Sequence, residues 1–238
     1  MLLYSNGDGC SAGAEIVGNY CFAEEDEKHH ALGKRAHPGA VPLTFSYKLA
    51  KTLNYGYMND AESFSSNERI LRTTKEFLDQ SNQEVFLLIG WSRWDREEPH
   101  ENNTYTDDLT SLRQKAKKWH QLIYEFHLEL QQQNIKHLFF NSYNHFDDEQ
   151  VPVAERKDWG DSYIDPYDIN KTYYWYLKSN FNTVNPNSYH FDEHGHTAWF
   201  KYLLPWLTKV QDPATIKQVK VKHNIQSPKA KLNNGKTS

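Results

Sequence analysis

Four stretches of the chain carry residue types that could do chemistry. The first is Gly7-Asp8-Gly9-Cys10-Ser11-Ala12-Gly13, directly after a short apolar run at residues 1–5. A glycine-rich turn between strand and helix can hold a side chain exposed while backbone N–H groups face a ligand. Ser11 and Cys10 are its nucleophile candidates. The plainer reading is a tight turn whose small residues permit close packing. Neither a Walker pattern nor G-x-G-x-x-G occurs, so phosphate cradling is not indicated. The second stretch is residues 187–196 (NSYHFDEHGH), where His190 could serve as a general base. A metal reading of His190, Asp192, His194 and His196 is weaker. Ligands at alternate positions need an extended strand, whereas Gly195 and the helical pattern after it point to a turn. His196 reads better as a first-turn helix residue that packs locally. Residues 63–69 (SFSSNER) and 90–95 (GWSRWD) complete the set. Asn67 reads as a helix N-cap, and Trp91 and Trp94 as core aromatics or as a stacking wall for a sugar or another flat ligand.

The elements that must position these stretches alternate between strand and helix. Residues 1–5, 84–90 (EVFLLIG) and 135–141 (IKHLFFN) are short apolar runs with the length of buried strands. Helical spacing recurs at Phe45, Leu49 and Leu53. It recurs again at Ile70, Leu71, Thr74, Phe77 and Leu78, and from Leu109 to Leu130, where Asp107 or Asp108 opens the helix. An amphipathic segment at 196–207 carries Pro205 near its end. Strand–helix units of this kind imply a mostly parallel sheet with helices on both faces. The turns starting at Gly7, Trp91 and Asn141 then lie at the carboxyl ends of strands, where open α/β sheets build their sites.

Composition narrows the function further. The 238 residues hold 38% apolar and 14% aromatic side chains, which excludes a disordered chain. No apolar run approaches the ~18 residues of a membrane span, so no membrane partner is expected. The first residues lack the basic region and apolar core of a signal peptide. Two cysteines, Cys10 and Cys21, give no disulfide framework, and a reducing intracellular compartment or a virion is the simpler setting. A net charge of −4 gives no strong nucleic-acid signal. That charge is uneven. From Leu207 onward seven lysines face a single acid, Asp212, a net of +6, which leaves −10 on the rest. Residues 1–207 thus read as one α/β domain and 208–238 as a basic extension. The extension is either solvated or an arm that docks on other protein subunits.

In this order and spacing, the four stretches resemble the SGNH/GDSL hydrolase family. SNGDGCSAG is similar to the family's first block, SFSSNERI lies where the second is expected, GWSR where G-x-N-D would follow the third strand, and NSYHFDEHGHTAWFKYLLP where D-x-x-H precedes the last helix. The run from Asn67 to Thr74 (NERILRTT) is further similar to SGNH-like proteins of cyanobacterial viruses. The resemblance implies a flavodoxin-like three-layer α/β fold and no cofactor. It also exposes departures. Without gaps, Gly9 takes the place of the nucleophilic serine, Phe64 or Ser65 that of the second-block glycine, Ser92 that of the oxyanion-hole asparagine, and Asn187 that of the aspartate that orients the histidine. His190 alone matches. A two-residue insertion would instead bring Ser11 to the nucleophile place, with Asp192 or Glu193 orienting a histidine; the ungapped alignment is preferred because it keeps Gly7-Asp8 in register. The expectation is therefore a catalytically degenerate member used for binding or assembly, a viral structural component by resemblance. The alternative is an esterase or carbohydrate O-acyl hydrolase with Ser11 and His190 catalytic, N–H groups near Gly9 and Ser65 on the oxyanion, and Asn67, Ser92 and Asn187 lining the pocket. An acyl-ester or carbohydrate ligand fits either reading.

Overall fold

The computed structural model describes residues 1–17, 36–96 and 109–210. Four strands, β1 (Leu2–Asn6), β2 (Gly56–Asn59), β3 (Val85–Trp91) and β4 (Lys136–Asn141), form one all-parallel sheet in the order β2-β1-β3-β4. The expected pairing of the three apolar runs holds: Leu2 lies against Val85 and Phe86 against Lys136, both in parallel register. The short edge strand β2 had no apolar run to announce it. Its residues alternate between exposed and half-buried, as an edge permits.

β3 is buried along its whole length because both faces of the sheet are covered. Side-chain alternation sorts the strands into two cores. Tyr4, Leu87, Ile89, Trp91 and Phe139 pack with Ile70, Ala116, Trp119, Ile123 and Phe126 on one face. Leu3, Phe86, Leu88, Leu138 and Phe140 pack with Phe45, Leu49, Tyr173, Trp199 and Leu203 on the other. The first face is covered by α3 (Asn67–Gln80) and α4 (Leu109–Gln132), the second by α2 (Phe45–Leu53), α5 (Tyr173–Lys178) and α6 (Glu193–Val210). The result is an α/β fold in three layers. Trp91 and Trp94 belong to the first core. Trp91 packs edge-on to Phe126 and Phe139, and Trp94 stacks on Phe146, so neither forms a ligand wall.

Two local assignments need correction. The N-cap of α3 is Ser66, whose hydroxyl accepts from Arg69 N–H; Asn67 is the first helical residue and is buried. The last helix begins at Glu193, not His196, and Gly195 sits inside its first turn. Asp192 fixes that start by accepting from the N–H groups of His194 and Gly195. α6 continues to Val210, three residues past the expected boundary. Most of the basic extension, like Cys21 and the start of the helix expected at 107–108, lies outside the described residues. No helix among the described residues is long and apolar enough to cross a membrane.

Candidate functional site

The turn after β1 forms a single short helix, α1 (Gly9–Ala12), capped by Asp8 and closed by Gly13 in the left-handed conformation at φ 75°. Asp8 is fully buried and does more than cap. One oxygen accepts from Cys10 N–H and the Ser142 hydroxyl, and the other from the Ser92 hydroxyl, with Arg96 Nη1 at 3.5 Å. One carboxylate thereby joins the loops that leave β1, β3 and β4. It has no unpaired oxygen, which is what makes a buried charge tolerable.

Ser11, within this turn, is fully buried. Its hydroxyl is buried and has no hydrogen-bond partner. A Cβ added at Gly7 would come within 2.4 Å of Ser11 Oγ, and one at Gly90 within 2.7 Å. Ser11 is thus wedged between two glycines at the ends of β1 and β3, and the hydrogen bond to His190 that a nucleophile needs is absent. Cys10 is also buried, and its thiol donates to Tyr143 Oη at 3.0 Å. Burial, then the charge of Asp8, pushes that thiol well above its ordinary pKa, opposite to what a reactive cysteine requires.

Gly9 stands at the cleft. Its backbone lies outside the left-handed region, so a side chain is conformationally permitted, yet a Cβ there would meet His190 Nε2 at 2.6 Å. The imidazole therefore faces the place that a residue-9 side chain would fill. On its other side, His190 Nδ1 lies 2.8 Å from Glu15 Oε2. A carboxylate only accepts, so the proton sits on Nδ1, and in the neutral ring Nε2 carries the lone pair. Glu15 also accepts from the Ser188 hydroxyl and from Asn185 Nδ2 at 3.3 Å. Burial pushes its carboxyl up, but the bonds from His190 and Ser188 outweigh that and hold it below its ordinary value. Glu15 has φ 63°, a strained choice for a non-glycine residue that aims its carboxylate back at the histidine.

Other expected roles fall differently. Asn187 lines the cleft but does not orient His190; its N–H donates to Asn185 Oδ1. Asp192 is spent on capping α6, and Glu193 pairs with Lys48. Ser65 N–H is bonded to Glu62 O, and Ser65 Oγ to the same carbonyl, so neither is aimed at an oxyanion. Asn67 forms a two-way amide pair with the Ser92 backbone, at 2.7 and 3.2 Å, and Ser92 Oγ serves Asp8. Ser65, Asn67 and Ser92 are thus buried in the scaffold and do not line the cleft, contrary to the expectation that they would. His196 is fully buried, stacked on Phe45 and 3.2 Å from Tyr173 Oη. Among the described residues no cluster of His, Cys, Asp or Glu could hold a metal ion.

The cleft encloses about 260 Å³ and is lined by Gly9, Glu15, Ser63, Phe64, Arg96, Tyr143, Asn187, Ser188, Tyr189 and His190. Of these, Glu15, Arg96 and Tyr143 lie outside the four stretches singled out in the sequence. A base with an orienting carboxylate, facing a glycine that opens a helical turn, is an arrangement for proton transfer that lacks its own nucleophile. No family model matches the chain, and no curated protein or solved structure is detectably similar to it.

Proposed function

We propose that this protein is a catalytically degenerate relative of the SGNH hydrolases, in which the cleft at the carboxyl edge of the sheet is kept for binding while covalent catalysis is lost. The observation that carries this is Gly9. It occupies the nucleophile place of the resembled family and faces a histidine that a carboxylate holds from behind. Glu15 supplies the orienting carboxylate that Asn187 cannot. Loss of the nucleophile alone removes nearly all of a triad's rate advantage.

The esterase alternative needs Ser11, and its burial between Gly7 and Gly90 weighs against it. Purified protein is expected to hydrolyse short acyl esters no faster than buffer. Ser11→Ala is expected to leave that background unchanged and the fold at least as stable, because it removes an unpaired buried hydroxyl. Hydrolysis well above buffer that Ser11→Ala abolishes would overturn this reading.

Assembly is assigned to the basic extension, whose +6 complements the −10 of the remaining chain, a viral structural role being one form of it. Self-association at low salt should fall when the chain is ended at Val210 and when ionic strength rises, since exposed charges are screened over ~8–10 Å at physiological salt. Light scattering that responds to neither change counts against the arm.

A further inference from the structure

The walls of the cleft carry two polar groups for which the fold supplies no partner. The Ser63 hydroxyl is buried, in a residue only 3% exposed, and has no hydrogen bond; Arg96 Nε–H is buried and equally unpaired among the described residues. Buried donors without partners are uncommon and costly, so their presence in a cleft wall calls for an explanation. Around them stand aromatic faces. The Arg96 guanidinium lies 5.7 Å from the Phe64 ring and 5.9 Å from the Tyr143 ring. Tyr189, 56% exposed, meets Tyr143 edge-on at 6.0 Å. Phe64 is 41% exposed and held at φ 63°, a conformation that a bulky residue enters only under constraint. Strain of this kind concentrates where a ligand is clamped.

Charge decides between ligand classes. Arg96 is already matched to Asp8, and Glu15 accepts a hydrogen bond from His190. Among the described residues the cleft therefore has no uncompensated cation, and an anionic ligand would meet the carboxylate of Glu15. A neutral ligand that offers hydroxyls to Ser63 and Arg96 and a C–H face to the rings fits all of these features. We propose that the cleft binds a neutral saccharide, laid against Tyr189 and Phe64, with hydroxyls satisfying Ser63 Oγ and Arg96 Nε–H as the Phe64 ring yields. This rests on the reading of the cleft as a binding site.

The test is titration of the full chain with chitotriose, cellotriose and maltotriose, with trigalacturonate as the acidic comparison, read by amide chemical shifts and calorimetry. At least one neutral trisaccharide should bind saturably. Ser63→Ala should weaken it roughly 3- to 10-fold, as loss of one hydrogen bond does. Tyr189→Ala, at an exposed position, should weaken it about 10-fold or more. Trigalacturonate should bind more weakly than the best neutral ligand. The proposal is overturned if no neutral trisaccharide shifts the cleft resonances, if both substitutions leave affinity unchanged, or if trigalacturonate binds tightest. Failure of binding leaves the loss of the nucleophile standing, whereas ester hydrolysis by the unaltered protein would overturn that reading and not this one.

Discussion

Lowering the pH from about 7 to about 4.5 is expected to unfold the protein in one cooperative step. The cause is a set of buried neutral histidines. Burial, and then Lys157, brings His120 down to about 4, with Glu155 opposing. Burial brings His137 to about 4 against the help of its bond to Ile135 O, with His127 adding to the fall. Burial, then His190 and Lys48, brings His196 to about 3. His127, which lies 2.8 Å from His137, is lowered by burial as well. In the unfolded chain each titrates near ~6.5. Between that value and the folded ones the unfolded state binds more protons, so stability is lost as pH falls. Each group contributes a slope of about 1.4 kcal/mol per pH unit in that window, and the three with the lowest values together ~4 kcal/mol per unit. Two units of acid then match the ~5–15 kcal/mol that holds a typical domain together. Denaturant titrations at several pH values would measure this directly. His120→Phe, which keeps the ring contacts to Phe146 and Trp159 but cannot take a proton, should flatten the slope by about one histidine. A stability that changes by less than ~1 kcal/mol between pH 6.5 and 5 would show that these rings are not held neutral.

Gly9→Ser is expected to give the protein an ester hydrolysis well above that of the unaltered chain. The new hydroxyl would enter beside His190 Nε2, with Glu15 holding the far nitrogen. Its Cβ would start 2.6 Å from that nitrogen, so the imidazole must retreat slightly, and the end of a side chain can do so more easily than backbone. A nucleophile with an oriented base is worth about 10²–10⁴-fold in rate, and the gain should fall near the low end. Gly9 N–H is left to hold an oxyanion largely alone, because Ser65 N–H is bonded to Glu62 O. His190→Ala in the Gly9→Ser background should abolish the gain, and Glu15→Gln should reduce it. Gly9→Ala introduces the same crowding without the hydroxyl and should stay inert. A folded Gly9→Ser protein that shows no hydrolysis across a panel of short acyl esters would mean that the cleft is not that of a hydrolase missing one atom group.

Much of the fold was legible because its signals are local. The apolar runs of β1, β3 and β4 and the helical spacing from Leu109 to Leu130 each lie within one segment. β2 was not, since GYMN is a short edge strand whose half-exposed pattern differs little from a loop. The place of His190 opposite Gly9 followed from the order of the blocks. Its carboxylate did not: Glu15 and His190 are 175 positions apart, and no periodicity links them. The one signal available was an acid in the loop just beyond the first block, and it competed with Asp192 and Glu193, which lie much nearer in sequence. Ser63 and Arg96 were invisible for a different reason. What singles them out is the absence of a partner, and a sequence cannot show a missing contact.

Asp8 has a consequence for how the molecule comes apart. Its carboxylate reaches Ser92 and Ser142, 84 and 134 residues along the chain, so it can engage both only when the loops after β1, β3 and β4 have already converged. Contacts that need so much prior convergence are expected to be weak in the folding nucleus, and their energy should then be felt mainly on the unfolding side of the barrier. Asp8 should therefore act as a bolt rather than a guide: Asp8→Asn is expected to shorten the time before the strands separate more than it slows their coming together, as unfolding and refolding rates would measure.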